Sequence, residues 1–446
     1  MVMKKIFVSV FFILNLTFYF NNCLCQSGWF QQQSGTVKYL RTVFFVNSQT
    51  GWVAGDTGKI LKTINGGTNW TAQDYTTTQA LYAIKFLNSL TGWAVGGVRD
   101  MANWEYSLLL KTTNGGNSWQ QQYPTGYNIF YDLHIFDENN IICVDGGIDY
   151  SGFVSNGNIY KSTNGGNNWM PCIGSPYLGN SFYSVSFVNA NTGWAGSVFW
   201  TDTSPEVEKI FKTTNMGLNW TCIKTDTIYL GFNFQYKQNV RFIDTSNGFL
   251  LQNYLMKTTN GGINWLKTDS LTTLNAANYY FINKDTGWII STTDIKRTNN
   301  GGNNWTSQNT PVTGLRSLYF INILTGWAVG NNGTILKTTT GGVTFVNRVS
   351  QKVPKVYFLY QNYPNPFNPI TIIKFDLKEA GKRKTEDVKL VIYDVTGREI
   401  VTLVNEQLSP GTYEVTFVGN NLPSGIYFYQ LHSGNFIETK KLILLK

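Results

Sequence analysis

Along most of this chain, short apolar runs alternate with turn-forming residues, and the apolar positions within a run tend to fall on every second residue. The stretch Leu40–Trp70 shows the pattern. An apolar run ends at Phe45, and Asn47 to Gly51 follow as a polar turn. Gly51-Trp52-Val53-Ala54-Gly55 is a second run, and Ile60-Leu61-Lys62-Thr63 a third. Asn65-Gly66-Gly67 then supplies residues tolerant of positive φ, and Trp70 opens a fourth run that fades into polar residues. Four short strands with tight turns are predicted.

This unit recurs. One signature, K-T-T-N-G-G-x-x-W, ends at Trp70, Trp119, Trp169, Trp220, Trp265 and Trp305, and in a worn form at Phe345. A second, F-[aliphatic]-N-x-x-T-G-W, ends at Trp52, Trp93, Trp194, Trp288 and Trp327, with Phe249 in a variant. In Phe136–Cys143 the spacing persists and places Cys143 at the Trp position. Both signatures occur seven times, alternating, with a period of 39 to 55 residues. Four strands per unit at this period predict an all-β fold, a seven-bladed β-propeller, with the indoles as plugs between blades. Trp29-Phe30-Gln31-Gln32 reads as a fourth strand without the three that should precede it. It is expected to complete the last blade and so remove an open edge.

The turn Thr112-x-Asn114-x-Gly116-x-Ser118-Trp119 resembles the Asp-box family, with Asn where that family usually has Asp. The longer pattern, G-W-x-V-G followed by I-L-K-T-T-N-G-G-x-x-W, resembles the photosystem II assembly-factor propellers over about residues 29–348. The resemblance implies a structural role for the turn residues and for the base before each turn (Lys62, Lys111, Lys161, Lys212, Lys257, Arg297, Lys337).

Composition sharpens the picture. Charged residues are 14% and aromatic residues 15%, with 43 glycines in 446 residues, the reverse of a disordered chain. The net charge of +9 is dispersed, with no basic run and no nucleic-acid motif, so a nucleic-acid partner is not expected. Lys4 and Lys5 followed by the apolar run Ile6–Phe20 read as a secretory leader over residues 1–25, cut before Gln26. That leaves no transmembrane span in the mature chain. Cys143, Cys172 and Cys222 then remain, an odd number read as buried residues rather than ligands. With His134 and His432 as the two histidines, no metal and no organic cofactor is implied.

The interval between second and third strands is ten residues from Trp52 to Lys62 and eight from Phe249 to Lys257. It is eighteen in units two, three and four. These additions should form one wall. They bring Arg99, Trp104 and Tyr106, then Asp149, Tyr150 and Phe153, then Phe199, Trp200 and Glu206. The connection into unit five adds Tyr229 and Phe232 on the same side. Aromatics with a few charges on loops over a rigid scaffold point to recognition of a glycan or a protein partner. The alternative is an extracellular glycoside hydrolase, as in some Asp-box propellers. No carboxylate pair is singled out by spacing, and no G-x-S-x-G, P-loop or H-E-x-x-H occurs, so catalytic residues are not expected.

The pattern changes after Val349. A linker over 351–362 leads into Tyr363-Pro364-Asn365-Pro366-Phe367-Asn368-Pro369, and alternating strands follow to the C-terminus, as in a small Ig-like β-sandwich. Y-P-N-P-F-N-P, I-Y-D-V-T-G-R-E, L-P-S-G-I-Y-F-Y-Q-L and the final E-T-K-K-L-I-L-L-K resemble the type IX secretion C-terminal sorting domain. The resemblance implies a secreted or outer-membrane-surface address and the secretion machinery as a partner. The expected layout is leader 1–25, propeller 26–350, linker 351–362 and sorting domain 363–446.

Overall fold

In a computed structural model, the described residues are 28–445 without 100–104, 123–127, 147–156, 173–179, 200–205, 229–238, 253, 269–275, 292, 309, 343–345, 351, 380–384 and 420–421. Among them lie nine four-stranded antiparallel sheets. Seven are blades. Blade one runs Leu40–Phe45, Gly51–Gly55, Ile60–Thr63, Thr71–Ala72, each strand paired with the next. Blade seven takes three strands from Leu315–Phe320, Gly326–Gly330 and Ile335–Thr338, and its fourth from Phe30–Gln32 at the other end of the chain. Phe30 pairs with Lys337 and Gln32 with Ile335. The expected closure is therefore present.

One interlock recurs between blades. The second-strand Trp of one blade stacks on the Phe that ends the first strand of the next: Trp52 on Phe86, Trp194 on Phe242, Trp288 on Phe320 and Trp327 on Phe45, each with centroids 3.5 Å apart. Phe249 stacks on Phe281 in the same way. A cation also lies near the ring, as with Lys62 over Trp52 at 5.5 Å and Lys212 over Trp194 at 5.2 Å. The Trp after the turn meets the same Phe edge-on: Trp70 on Phe45 at 6.0 Å, Trp119 on Phe86 at 5.9 Å. In blade seven this place belongs to Trp29, 5.7 Å from Phe320 at 85° and 2% exposed. Its Nε1 donates to Gln308 Oε1 at 2.8 Å. The worn repeat at Phe345 thus coincides with a Trp supplied by residue 29.

The turn between third and fourth strands is held by side chains. Thr63 Oγ1 accepts from Gly67 N at 2.8 Å, and Asn65 Oδ1 accepts from Asn69 N at 2.9 Å. The same pair of bonds recurs at Thr112 and Asn114, Thr213 and Asn215, and Thr298 and Asn300. Gly66 and Gly67 sit at φ 69° and 94°, where a side chain is strained.

Blade three corrects the expected register. Asp137 Oδ1 accepts from Asn139 N and Asn140 N, as Asn47 Oδ1 does from Gln49 N and Thr50 N, so Ile135 and Ile142 stand where Phe45 and Trp52 stand. Cys143 is therefore not at the Trp position. It is fully buried against blade two, whereas Ile142 faces blade four. A one-residue slip reverses the face of every side chain in a strand. Phe136 resembles the closing Phe of the other blades but stands one residue beyond its place.

The remaining two sheets sandwich one apolar core built from Leu359, Phe375, Tyr413 and Phe417 on one side and Leu390, Ile392, Tyr429 and Leu442 on the other. Val346–Ser350, expected to end the propeller, instead pairs with Gly411–Val418 as an edge strand of this module. Phe358–Leu359, expected in a linker, pairs with Ile370–Leu377. With the last blade completed by the N-terminal strand, the chain after Gly342 is left to join the second module. No described helix is long and apolar enough to cross a membrane.

Candidate binding face of the propeller

The long second-to-third-strand connections of blades two and four begin as regular ladders. Gly92–Arg99 pairs with Glu105–Thr112 out to Arg99 opposite Glu105, and Gly193–Phe199 pairs with Glu206–Thr213 out to Phe199 opposite Val207. These third strands have eight residues where Ile60–Thr63 and Leu255–Thr258 have four. All end at the Thr of the turn, so the added four residues lie at the far end, a reach of about 13 Å. Phe199 is half-buried, with Lys209 Nζ 5.1 Å over its ring. Arg99, Tyr106 and Glu206 lie on these ladders by backbone alone. Trp104, Asp149, Tyr150, Phe153, Trp200, Tyr229 and Phe232 lie outside the described residues.

A second set of residues was not anticipated. First strands carry a register shift at one recurring place, between Leu40 and Thr42, Leu81 and Ala83, Phe130 and Asp132, Phe182 and Ser184, and Leu315 and Ser317. The residues inside these bulges are Arg41, Tyr82, Tyr131, Tyr183 and Arg316. A bulge re-aims the side chain it carries. The neighbours Leu81, Phe130 and Phe182 are fully buried between blades, whereas the three tyrosines are half-exposed. From blade six through blade seven and on to blade five, first strands of consecutive blades contact one another, so these side chains meet along the inner wall. Tyr82 and Tyr131 have centroids 5.3 Å apart at 56°, and Tyr131 and Tyr183 4.9 Å apart at 47°. Ala80 pairs with Gly97 and Asn180 with Phe199, so this arc lies at the end from which the long ladders of the same blades leave.

Charges near the arc are matched. The Arg41 guanidinium lies 5.2 Å over Tyr82 and is ion-paired to Asp56. Burial opposes its charge, but the Asp56 hydrogen bond and the nearby phenols outweigh this, and its pKa stays above the ordinary value. Lys85 pairs with Asp132 at 2.8 Å. A second arc lies toward the other end: Phe44, Tyr319 and Tyr280 in sequence, at 5.1 and 5.4 Å, with Arg241 4.0 Å over Tyr280. Arg241 Nε donates to the Phe281 carbonyl at 3.0 Å. Beside Lys85, burial and then the Lys85 charge push the His134 pKa down to about 3, so its ring is neutral.

Residues 22–174 match the family described as Photosynthesis system II assembly factor YCF48, and residues 361–445 match the Secretion system C-terminal sorting domain. The chain carries a YCF48-like propeller and a secretion sorting domain. A solved structure of YCF48 bound to D1 peptide is 15% identical, covers 70% of this chain and 97% of its own, and superposes with a TM-score of 0.53. YCF48 from Cyanidioschyzon merolae is 18% identical, covers 70% and 98%, and gives 0.51. At this identity the YCF48-like propeller shares a fold with these proteins. No curated protein matches the chain in sequence. The sorting domain marks the protein for secretion or surface display through the type IX system.

Proposed function

We propose that the protein is a non-enzymatic binding module. A leader over residues 1–25 takes it across the inner membrane, the sorting domain takes it across the outer membrane, and the propeller then recognises a glycan or protein partner outside the cell. The layout we favour gives the propeller residues 28–342 and the Ig-like sorting module residues 346–445. One observation carries the binding reading: the long ladders of blades two and four and the tyrosine bulges of blades two, three and four lie at the same end of the ring. Nothing in the interlock requires this coincidence, because blades one, five, six and seven keep the stacked Trp or Phe without either feature.

Two experiments test the proposal. A chain ending at Gly342 should accumulate in the periplasm while the full chain reaches the surface or medium; export of the short chain refutes the address. Trp104→Ala with Trp200→Ala, assayed on glycan and protein arrays, should lose the partners that the parent protein binds. Unchanged binding removes this face from consideration.

A further inference from the structure

We infer that the turn end of the propeller faces the cell and that the ladder end takes its partner from the medium. This rests on the binding-face reading above and on surface display, and it adds where the partner comes from.

The path of the chain gives the first half. In blade seven the third strand Ile335–Thr338 runs into the turn that holds Gly341 and Gly342, at φ 69° and 77°. The next described strand, Val346–Ser350, already belongs to the sorting module, where it pairs with Gly411–Val418. Four residue steps separate Gly342 from Val346, at most about 14 Å of extended chain. The sorting module is thus held within that reach of the turn end. The other boundary of the ring lies at the same place. Trp29 packs against this turn so closely that a Cβ on Gly342 would meet its Nε1 at 2.3 Å. The chain therefore enters and leaves the ring at one pole, and any tether carried by the sorting module pulls on that pole.

The ladders give the second half. The third strand of blade two runs back from Thr112 at its turn to Glu105, and that of blade four from Thr213 to Glu206. Seven steps place Glu105 and Glu206 roughly 23 Å from the turn end. They stand at the opposite pole from the exit at Gly342. The two poles also differ in how far they are elaborated. Turns at the first keep the same Thr and Asn bonds in blades one, two, four and six. The extra length of the third strands in blades two and four lies wholly at the other. A pole held close to its attachment leaves little room for a large ligand, whereas the ladder pole is approached freely. The partner that fits is a glycan or protein arriving from outside, not a component of the surface on which the protein sits.

The test uses the full chain with one added cysteine at an exposed site on either pole. Ile64→Cys and Ile263→Cys lie at the turns, each native side chain 71% exposed. Thr78→Cys and Thr313→Cys lie in the connections that lead into first strands. Cys143 is buried and Cys172 and Cys222 are half-buried, so the parent chain sets the background. Each variant is labelled with a maleimide carried on streptavidin, first as purified protein and then on intact cells that display it. Melting temperature checks that each variant folds. On cells, Thr78→Cys and Thr313→Cys should keep their purified rates, and Ile64→Cys and Ile263→Cys should slow several-fold. Equal rates at the two poles, the reverse pattern, or recovery of the whole chain from the medium overturns the assignment. The outcomes separate from those of the binding-face test. An even labelling pattern sinks this inference and leaves the ladder face standing. Unchanged array binding by the Trp104→Ala, Trp200→Ala chain removes the partner and so overturns the second half, while slow labelling at the turns still supports the first.

Discussion

The two modules of this chain are both built from antiparallel sheets, yet they divide their apolar residues in opposite ways. The propeller has seven separate clusters, each shared by two adjacent blades, including one that joins blade seven to blade one. The C-terminal sandwich has a single cluster. A propeller blade is therefore stabilised almost entirely by its neighbours, and its stability is a sum of interface terms. The sandwich stands or falls as one unit. Damage to the first should spread around a ring, and damage to the second should stay inside it.

The largest expected effect comes from breaking the ring at its seam. Trp29→Ala removes a buried indole, its edge contact with Phe320 and its bond to Gln308. It should cost the propeller about 3–5 kcal/mol and leave the unfolding transition of the sandwich in place. A calorimetric scan in which the propeller transition does not move refutes the seam.

Next comes the converse. Ile392 is fully buried in the sandwich core, and Ile392→Ala should cost about 2–5 kcal/mol there without shifting the propeller. Movement of both transitions shows that the modules unfold together.

A smaller effect depends on pH. His134 packs against Phe136 and Phe187, and its pKa in the folded chain is about 3. The unfolded chain takes up the proton first, near the ordinary value of about 6.5. This residue's contribution is therefore intact above that pH and is lost as pH falls from about 6.5 toward 3, by up to ~1.4 kcal/mol per pH unit. His134→Leu should flatten the propeller's pH dependence in that window. An unchanged slope excludes His134 as its source.

The smallest effect tests the cation on each indole. Lys212→Met removes the charge over Trp194 and should cost about 0.5–1 kcal/mol, read as a small fall in the propeller melting temperature. A rise would mean that desolvation of the ammonium outweighs its attraction to the ring.

The seven blades and the N-terminal closing strand were legible because their residues recur. Stacked rings and side-chain-held turns demand the same residue types in every unit, and repetition exposes them. The error in blade three arose where the repeat is weakest. Ile135 and Ile142 replace the Phe and Trp, and Phe136 offered a false anchor one residue away. The edge strand Val346–Ser350 was misassigned because its partner Gly411–Val418 lies far along the chain and no local pattern announces the pairing. Tyr82, Tyr131 and Tyr183 were missed for the opposite reason to the Trp residues. They vary between blades, and only the bulge places them on the inner wall. Four residues before the end of each first strand is the position that would have found them.

Trp29 and Gln308 are 279 residues apart in sequence. Bringing such distant segments together is entropically costly and slow. The closing strand is thus made before its partner in blade seven and can dock only once that blade exists. Because the seam is closed from the front of the chain, cutting the chain behind Gly342 takes none of the described strands from the ring. The disc can lose its rear module and remain whole.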